Sequence, residues 1–241
     1  MLDTDTNRAL APTWPRTPLA SFMLQSGGLA LVLWMSASWL LGSSAIVLLA
    51  FGLCIALATR LLSADFPHRV LGLCNTVTLT RTAMMVFAFG AVWSVGDVSP
   101  WIVFWVGLVA FSLDGVDGWL ARRSGLCSEF GARFDMETDA ALGAVLSLWL
   151  LVTGVTGPEV LVLGFMRYAF VGASLFLPAL KNDLPASFRR KTVCVVQIAA
   201  LLFLICPLAP PVLIAPVSLI ASALLAWSFA VDVRWLLRHA A

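Results

Sequence analysis

The sequence predicts an all-α, polytopic transmembrane helical bundle of about eight spans. Of its 241 residues, 61% are apolar and only 12% are charged, whereas a soluble domain carries roughly 25% charged residues. Most of the chain after residue 20 consists of apolar stretches of about 20 residues, the length that crosses the hydrocarbon core of a bilayer. The predicted spans are 22–41, 44–62, 75–95, 100–122, 135–154, 158–179, 190–207 and 212–236.

The distribution of positive charge predicts the orientation of these spans. Lys and Arg lie on alternate connections, and the four opposite connections contain neither residue. The positive-inside rule therefore places both termini and every basic connection in the cytoplasm. Residues 1–21 are expected to be a cytoplasmic tail without a signal peptide, because charged residues and prolines leave no apolar run there. We expect an integral protein of the bacterial inner membrane.

Acidic residues gather where an apolar chain would be expected to avoid them. Six of the thirteen lie between positions 114 and 139: Asp114, Asp117, Glu129, Asp135, Glu137 and Asp139. Carboxylates in or near a membrane span are costly and are usually tied to a function or a partner. The first two aspartates are three residues apart and the last two are four apart, so each pair shares a helix face. Two successive helices can thus bring four carboxylates together.

A cluster of four carboxylates predicts a metal site. Like charges repel one another, and hard divalent cations such as Mg²⁺ or Mn²⁺ prefer oxygen ligands. A cation held in this way suits phosphate chemistry, because it neutralises charge that develops on phosphate oxygens. The alternative is an acidic turn at the membrane surface, which is the expected role of Asp65 and Asp183. Glu129 and Glu137 fall outside the two pairs and are expected to be surface residues.

Small residues and a cation accompany the first aspartate pair. Gly118 and Ala121 lie on or beside the helix face of Asp114, where they leave room for a ligand close to the backbone. Arg122 ends the segment with a planar donor group suited to phosphate. Its alternative role is that of a positive-inside anchor.

The acidic motif resembles that of a known family. The motif is similar, at every position and gap, to the signature of the CDP-alcohol phosphotransferase (CDP-alcohol phosphatidyltransferase) family. It reads Asp114-x-x-Asp117-Gly118-x-x-Ala121-Arg122, then eight residues, Gly131, three residues, Asp135, three residues and Asp139. Asn75-x-x-Thr78-x-x-Arg81 and Lys191-Thr192 with Gln197 extend the resemblance over roughly 70–236. The resemblance implies a six-helix core at 70–241, preceded by two additional transmembrane helices at 22–69 for packing or dimerisation.

The resemblance also implies a reaction. Asp114, Asp117, Asp135 and Asp139 are expected to hold two Mg²⁺ or Mn²⁺ ions, and Asp139 is expected to be the general base that activates an acceptor hydroxyl, with release of CMP. The residues implied for nucleotide binding are Asn75, Thr78, Gly118, Ala121, Arg122 and Gly131. Asn75 has a second reading, in which it only caps its helix. A homodimer is expected from the family, and no nucleic-acid partner is expected.

The substrates are left partly open. CDP-diacylglycerol is the expected donor, because a site at the membrane surface can keep acyl chains in lipid and the nucleotide in water; an amino-alcohol phosphotransferase that uses CDP-choline or CDP-ethanolamine is the alternative. A cation-coupled transporter is a rival from another class, although transporters more often place carboxylates at broken helices near the midplane.

The acceptor is expected to be a small alcohol. A candidate site for a phosphorylated acceptor, such as glycerol 3-phosphate or inositol phosphate, comprises Arg167, Lys181, Arg189, Arg190 and Lys191. Positive-inside orientation alone explains all of these except Arg167, which lies within a span and needs a partner. Many phosphatidylglycerophosphate synthases carry Lys after the last motif aspartate. This chain has Ala140, which weakens that subclass.

Overall fold

The structure is a computed structural model that describes residues 17–239, except residues 95, 97, 183 and 186 and the side chains of 64, 65 and 181. Most of the predicted N-terminal tail and the side chain of Lys181 therefore lie outside the described residues. The described chain forms eight α-helices and one short 3₁₀ helix at Pro178–Lys181. The helices are α1 (Pro18–Leu40), α2 (Ala45–Asp65), α3 (Gly72–Val92), α4 (Pro100–Ser124), α5 (Glu129–Val152), α6 (Val160–Phe176), α7 (Phe188–Ile205) and α8 (Pro211–Arg238).

The prediction of an all-helical chain with eight helices is confirmed, but one boundary is wrong in an informative way. Helix α5 begins at Glu129, six residues before the predicted span at 135. Ser128 caps it, since its hydroxyl accepts a hydrogen bond from the backbone N–H of Gly131 at 3.0 Å. Gly131, Asp135 and Asp139 consequently lie within one helix, four residues apart and on one face.

The C-terminal end of α4 is also set by the local sequence. Gly125 follows it with φ +68°, a left-handed conformation that glycine adopts at little cost. Only residues 125–128 separate α4 from α5, and we refer to them as the α4–α5 connection. This short connection places the C-terminal end of α4 beside the N-terminal end of α5, so that the two aspartate pairs lie at the same end of the bundle.

Within the described part of the chain, four helices are long and apolar enough to cross a membrane, namely α1, α2, α4 and α8, while α6 is apolar but has only 17 residues. Large apolar side chains point outwards, as at Trp39, which is 85% exposed, and Leu49, which is 76% exposed. Exposed apolar surface of this extent is expected where lipid replaces water as the solvent. The structure thus has the properties of a membrane helical bundle.

Helices α3 and α5 form the centre of the bundle. Helix α3 packs against α1, α2, α4 and α5, and α5 packs additionally against α6 and α7. Small residues allow close helix crossings, because a Cβ atom added at Gly164 on α6 would lie 2.8 Å from Ser147 Cβ and 2.9 Å from Ala144 Cα on α5. The outer helices thereby enclose the two helices that carry Arg81 and the second aspartate pair.

The crossing of α5 and α6 gives a test of the packing. Gly164→Ala should lower the free energy of unfolding by about 1–3 kcal/mol, because the added methyl group overpacks the interface. Gly172→Ala on the same helix is the control, since no atom lies within 4 Å of its added Cβ. Thermal unfolding in one detergent measures both variants. Equal midpoints for the two variants would contradict the close crossing.

Candidate active site

The side chain of Arg81 lies at the centre of the aspartate cluster. It is 1% exposed and forms ion pairs with all four motif aspartates. Its Nη1 contacts Asp117 Oδ2 at 2.8 Å and also Asp135, while its Nη2 contacts Asp114 Oδ1 at 3.1 Å and also Asp139. Helices α3, α4 and α5 therefore meet at one guanidinium group.

A further hydrogen bond fixes the position of this guanidinium. Arg81 Nε donates to the backbone carbonyl of Ala110 on α4 at 3.0 Å. All three nitrogens of the group are therefore engaged, and the planar fork can be satisfied in few other orientations. When ionised, four carboxylates around one guanidinium leave an excess of three negative charges. Arg81 reduces the repulsion within the cluster but does not remove it.

The four carboxylates differ in their access to solvent. The Asp117 side chain is only 4% exposed, whereas those of Asp114, Asp135 and Asp139 are 37%, 35% and 44% exposed. Thr78 donates its hydroxyl to Asp117 Oδ2 at 3.1 Å. The other oxygen, Asp117 Oδ1, is buried without a hydrogen-bond partner in the described part of the chain. Buried carboxylate oxygens are normally satisfied, so this atom indicates a ligand that completes the site.

The residues present fit a divalent metal ion. Asp114, Asp135 and Asp139 each offer a carboxylate oxygen, and these three oxygens lie within 4.8 Å of one another. Oxygen ligands with excess negative charge suit Mg²⁺ or Mn²⁺. Asp117, the fourth predicted ligand, is not part of this group of three, and Arg81 and Thr78 engage its Oδ2. Its unsatisfied Oδ1 is the atom that could join them.

A pocket of about 210 Å³ adjoins the aspartates, between α3, α4 and the start of α5. The structure brings together all six residues predicted to bind the nucleotide. The residues that line the pocket are Cys74, Asn75, Thr78, Asp117, Gly118, Ala121, Arg122, Leu126, Cys127, Ser128, Gly131, Ala132 and Asp135. A concave space beside a cluster of charged groups is the usual form of a small-molecule site.

Asn75 and Gly131 lie next to each other in the wall of this pocket. The Asn75 side chain is buried and donates its amide to the carbonyl of Leu71 at 2.5 Å. The residue at the N-cap of α3 is Leu71, with no side-chain capping bond, so the reading of Asn75 as a helix cap is wrong. A Cβ atom at Gly131 would lie 3.0 Å from Asn75 Oδ1, which explains the need for glycine there.

Arg122 lies at the edge of the pocket and is exposed. Within the described part of the chain it forms no ion pair or hydrogen bond, in contrast to Arg81. A Cβ atom at Gly118 would lie 3.3 Å from Arg122 Nη1, so Gly118 leaves this guanidinium close to the helix backbone. Arg122 is therefore free to bind an anion, and its predicted role in phosphate binding stays a prediction.

The residues predicted to bind the acceptor differ in their partners: Arg189 and Arg190 bond to α8, whereas Arg167 and Lys191 do not. Arg167 forms an ion pair with Glu137 on α5, and its Nε is buried without a partner among the described residues. Lys191 is exposed. Arg189, by contrast, donates to Ser228 Oγ at 2.6 Å and to Asp232 Oδ1 at 2.5 Å on α8. Arg190 contacts the same Asp232, at 3.4 Å.

Sequence reasoning gave no site role to Arg81, Glu137 or Asp232. A signal existed for Arg81, because a cation within an apolar span needs a partner and the aspartates were the available anions. Glu137 lies at the surface, as expected, but the sequence did not indicate that it pairs with Arg167. Asp232 is buried near the C-terminal end of α8, where one acidic residue in an apolar helix was the only available signal.

Together these features define an integral membrane protein with an acidic cluster and an adjoining pocket at one end of a helical bundle. Residues 71–233 match the sequence profile described as CDP-alcohol phosphatidyltransferase. The match covers more than half of the chain, and the protein therefore belongs to the CDP-alcohol phosphatidyltransferase family. It is an enzyme that transfers phosphate-containing groups, and this favours the transferase over the transporter considered from the sequence.

Curated relatives agree with this assignment. Proteins from two strains of Mycobacterium tuberculosis, each named probable phosphatidylglycerophosphate synthase, are 30% identical to the chain over 163 residues. The alignment covers 65% of this chain and 77% of each relative. These relatives and the family support a role in phospholipid biosynthesis. No solved structure matches the chain significantly.

The central position of Arg81 leads to a prediction about stability. Arg81→Met should lower the free energy of unfolding in EDTA by about 3–5 kcal/mol, because it leaves the buried Asp117 carboxylate without its counter-ion and removes the cation that lies between all four aspartates. Adding Mg²⁺ should stabilise this variant more than the parent protein. Denaturant unfolding with and without Mg²⁺ measures both effects. Arg133→Met is the control, since its ion pair with Glu129 is exposed; if both variants were equally stable, Arg81 would not organise the cluster.

Proposed function

We propose that the protein transfers the phosphatidyl group of CDP-diacylglycerol to a small alcohol and releases CMP. The observation that carries this proposal is that the expected metal ligands and the expected nucleotide-binding residues lie side by side. Gly118, Ala121, Arg122 and Gly131 belong to the same motif as the aspartates, and the pocket lined by Asp117 and Asp135 adds Asn75 and Thr78 of α3 to them. A nucleotide bound there would have its phosphates next to the acidic cluster.

The chain supplies the base for this reaction. We propose that Asp139 accepts the proton of the acceptor hydroxyl, whose oxygen forms a bond to the phosphorus of the phosphatidyl group as the bond from that phosphorus to the oxygen of CMP breaks. Asp139 Oδ1 is engaged by Arg81, so its Oδ2 is the oxygen available for the proton. A positioned base contributes about 10²–10⁴-fold to such a step. Arg122 is placed to stabilise charge on the leaving CMP.

Two Mg²⁺ or Mn²⁺ ions would be held by Asp114, Asp117, Asp135 and Asp139. Bound there, they would supply charge neutralisation on the phosphate oxygens and orient the leaving group. Arg81 would keep the four carboxylates close together before binding. Such preorganisation lowers the cost of assembling a site during the reaction.

The donor and the topology of the protein follow from its position in the membrane. We propose that all eight helices are embedded, that both termini face the cytoplasm, and that the site opens on the same side. The basic residues Arg122, Arg123 and Arg133 lie at the site end of α4 and α5, as the positive-inside rule requires. The nucleotide would then lie in water while the acyl chains remain in lipid, which favours CDP-diacylglycerol over CDP-choline or CDP-ethanolamine. A homodimer in the bacterial inner membrane stays a prediction.

The acceptor is proposed to be a phosphorylated alcohol. The name of the curated relatives favours glycerol 3-phosphate, whereas Ala140 after the last motif aspartate weighs against it. The Nε of Arg167, which has no partner among the residues that the structure describes, and the exposed Lys191 would provide positive charge for a second anion. We therefore place glycerol 3-phosphate first and inositol phosphate second.

Release of CMP tests the proposed reaction. Purified protein in detergent should release CMP from CDP-diacylglycerol only when Mg²⁺ or Mn²⁺ and a suitable alcohol are present. Asp139→Asn should lower kcat at least about 10²-fold, as expected for loss of a general base. Glu129→Gln is the matched control, because Glu129 lies on the same helix and pairs only with Arg133 at the surface. The reaction would be refuted if no CDP-alcohol gave CMP with any acceptor.

The acceptor site has a test of its own. Arg167→Gln should raise KM for glycerol 3-phosphate by about 10–100-fold, because hydrogen bonds to charged groups contribute about 1.5–3 kcal/mol. Its KM for the CDP-lipid should not change. Arg189→Gln should instead reduce thermal stability and leave the acceptor KM unaltered, since Arg189 bonds to α8. The reverse pattern would move the acceptor site to Arg189.

A further inference from the structure

Helices α1 and α2 lie outside the segment that matches the family, which begins at residue 71. The structure nevertheless connects them to the substrate pocket. Phe22 on α1 is fully buried, and its ring packs edge-on against Phe130 at 6.4 Å and Phe134 at 6.2 Å between centroids. Both partners lie in the first two turns of α5, the part of the helix that forms one side of the pocket.

The segment after α2 makes contacts in the same place. The ring of Phe66 packs edge-on against Phe130 at 5.8 Å and against the ring of His68 at 5.6 Å. His68 Nε2 lies 3.0 Å from the backbone carbonyl of Cys127 and donates to it. Cys127 is a pocket residue in the middle of the α4–α5 connection. The N-terminal part of the chain therefore touches both the start of α5 and the connection before it.

These contacts lie on the outer side of the pocket wall. Gly131 and Asp135 on α5 line the pocket, whereas Phe130 and Phe134, one residue earlier in each turn, contact the N-terminal segment. The start of α5 therefore has the N-terminal segment on one side and the pocket on the other.

We propose that α1, α2 and the segment after them position the wall of the donor pocket, and that Phe22, Phe66 and His68 are the positioning residues. The proposal rests on the proposed function in assigning this pocket to the CDP moiety of the donor. The connection has no regular secondary structure over residues 126–128, so it would lose conformational freedom each time a nucleotide bound. Contacts that hold it in place beforehand lower that cost and strengthen binding.

The proposal predicts a specific kinetic change. Phe66→Ala and His68→Ala should each raise KM for the CDP-lipid by about 3–10-fold, the range expected for one aromatic pair or one hydrogen bond. The acceptor KM and kcat should change little. His68→Gln should keep KM for the CDP-lipid near that of the parent protein, because the glutamine amide can donate to the same backbone carbonyl of Cys127.

Phe104→Ala is the matched control. Phe104 makes two edge-on ring contacts, with Trp101 and Trp105, and is partly buried like Phe66. It lies on α4 thirteen residues before Asp117, which corresponds to about 20 Å along the helix. Its removal should not change KM for the CDP-lipid.

Hydrogen exchange gives a readout that does not depend on activity. Amides of residues 125–131 should exchange faster in Phe66→Ala and His68→Ala than in the parent protein, while those in the middle of α5 should not. Faster local exchange together with a higher donor KM supports the proposal. Unchanged exchange, a rise throughout the bundle, or a local rise with an unaltered KM overturns it. If the parent protein released no CMP, the proposed function would fail, but exchange would still show whether the N-terminal segment holds the wall.

Discussion

The packing of one guanidinium among four carboxylates constrains most of this structure. Arg81 is almost fully buried on α3 and contacts aspartates on both α4 and α5. A buried charge is tolerated only when it is paired and hydrogen-bonded. The three helices must therefore meet at this level, and the bond from Arg81 Nε to the Ala110 carbonyl sets the height of α4 relative to α3. Helix α6 packs against α5, and α7 packs against both α4 and α5, which holds the group in place.

The same constraint explains why the site remains open to ligands. One cation cannot neutralise four carboxylates, so the cluster keeps a negative charge that favours binding of further cations. Its deepest member, Asp117, has one oxygen satisfied by Thr78 and Arg81 and one unsatisfied. The other three aspartates lie nearer to the surface. The cluster therefore has a rigid inner part and an accessible outer part, and both are carried by helices, which hold side chains more firmly than loops do.

The sequence predicted the features that depend on local periodicity. Apolar length predicted eight helices, and the spacing of Asp114, Asp117, Asp135 and Asp139 predicted that they share helix faces. The geometry around Arg81 did not follow from local periodicity, because its contacts with the aspartates join residues 33–58 positions apart and depend on the packing of three helices. The start of α5 was missed for a related reason. Its first turns are polar on the side that faces the site, so the periodicity of apolar residues alone predicted a connection there instead of a helix.

The basic residues near α6 and α7 also could not be assigned from the sequence alone. Their shared charge suggested one group, whereas the structure shows that they have different partners. Arg189 pairs with Asp232, whose side chain is only 9% exposed, and losing one partner of such a buried pair costs about 3–5 kcal/mol. Glu137 is 56% exposed beside Arg167, and exposed pairs contribute only about 0–1 kcal/mol. Under the proposed function, an incoming phosphate would therefore displace Glu137 into water far more easily than it would displace Asp232. Position within the bundle, rather than charge, would then decide which arginine is available to the proposed acceptor.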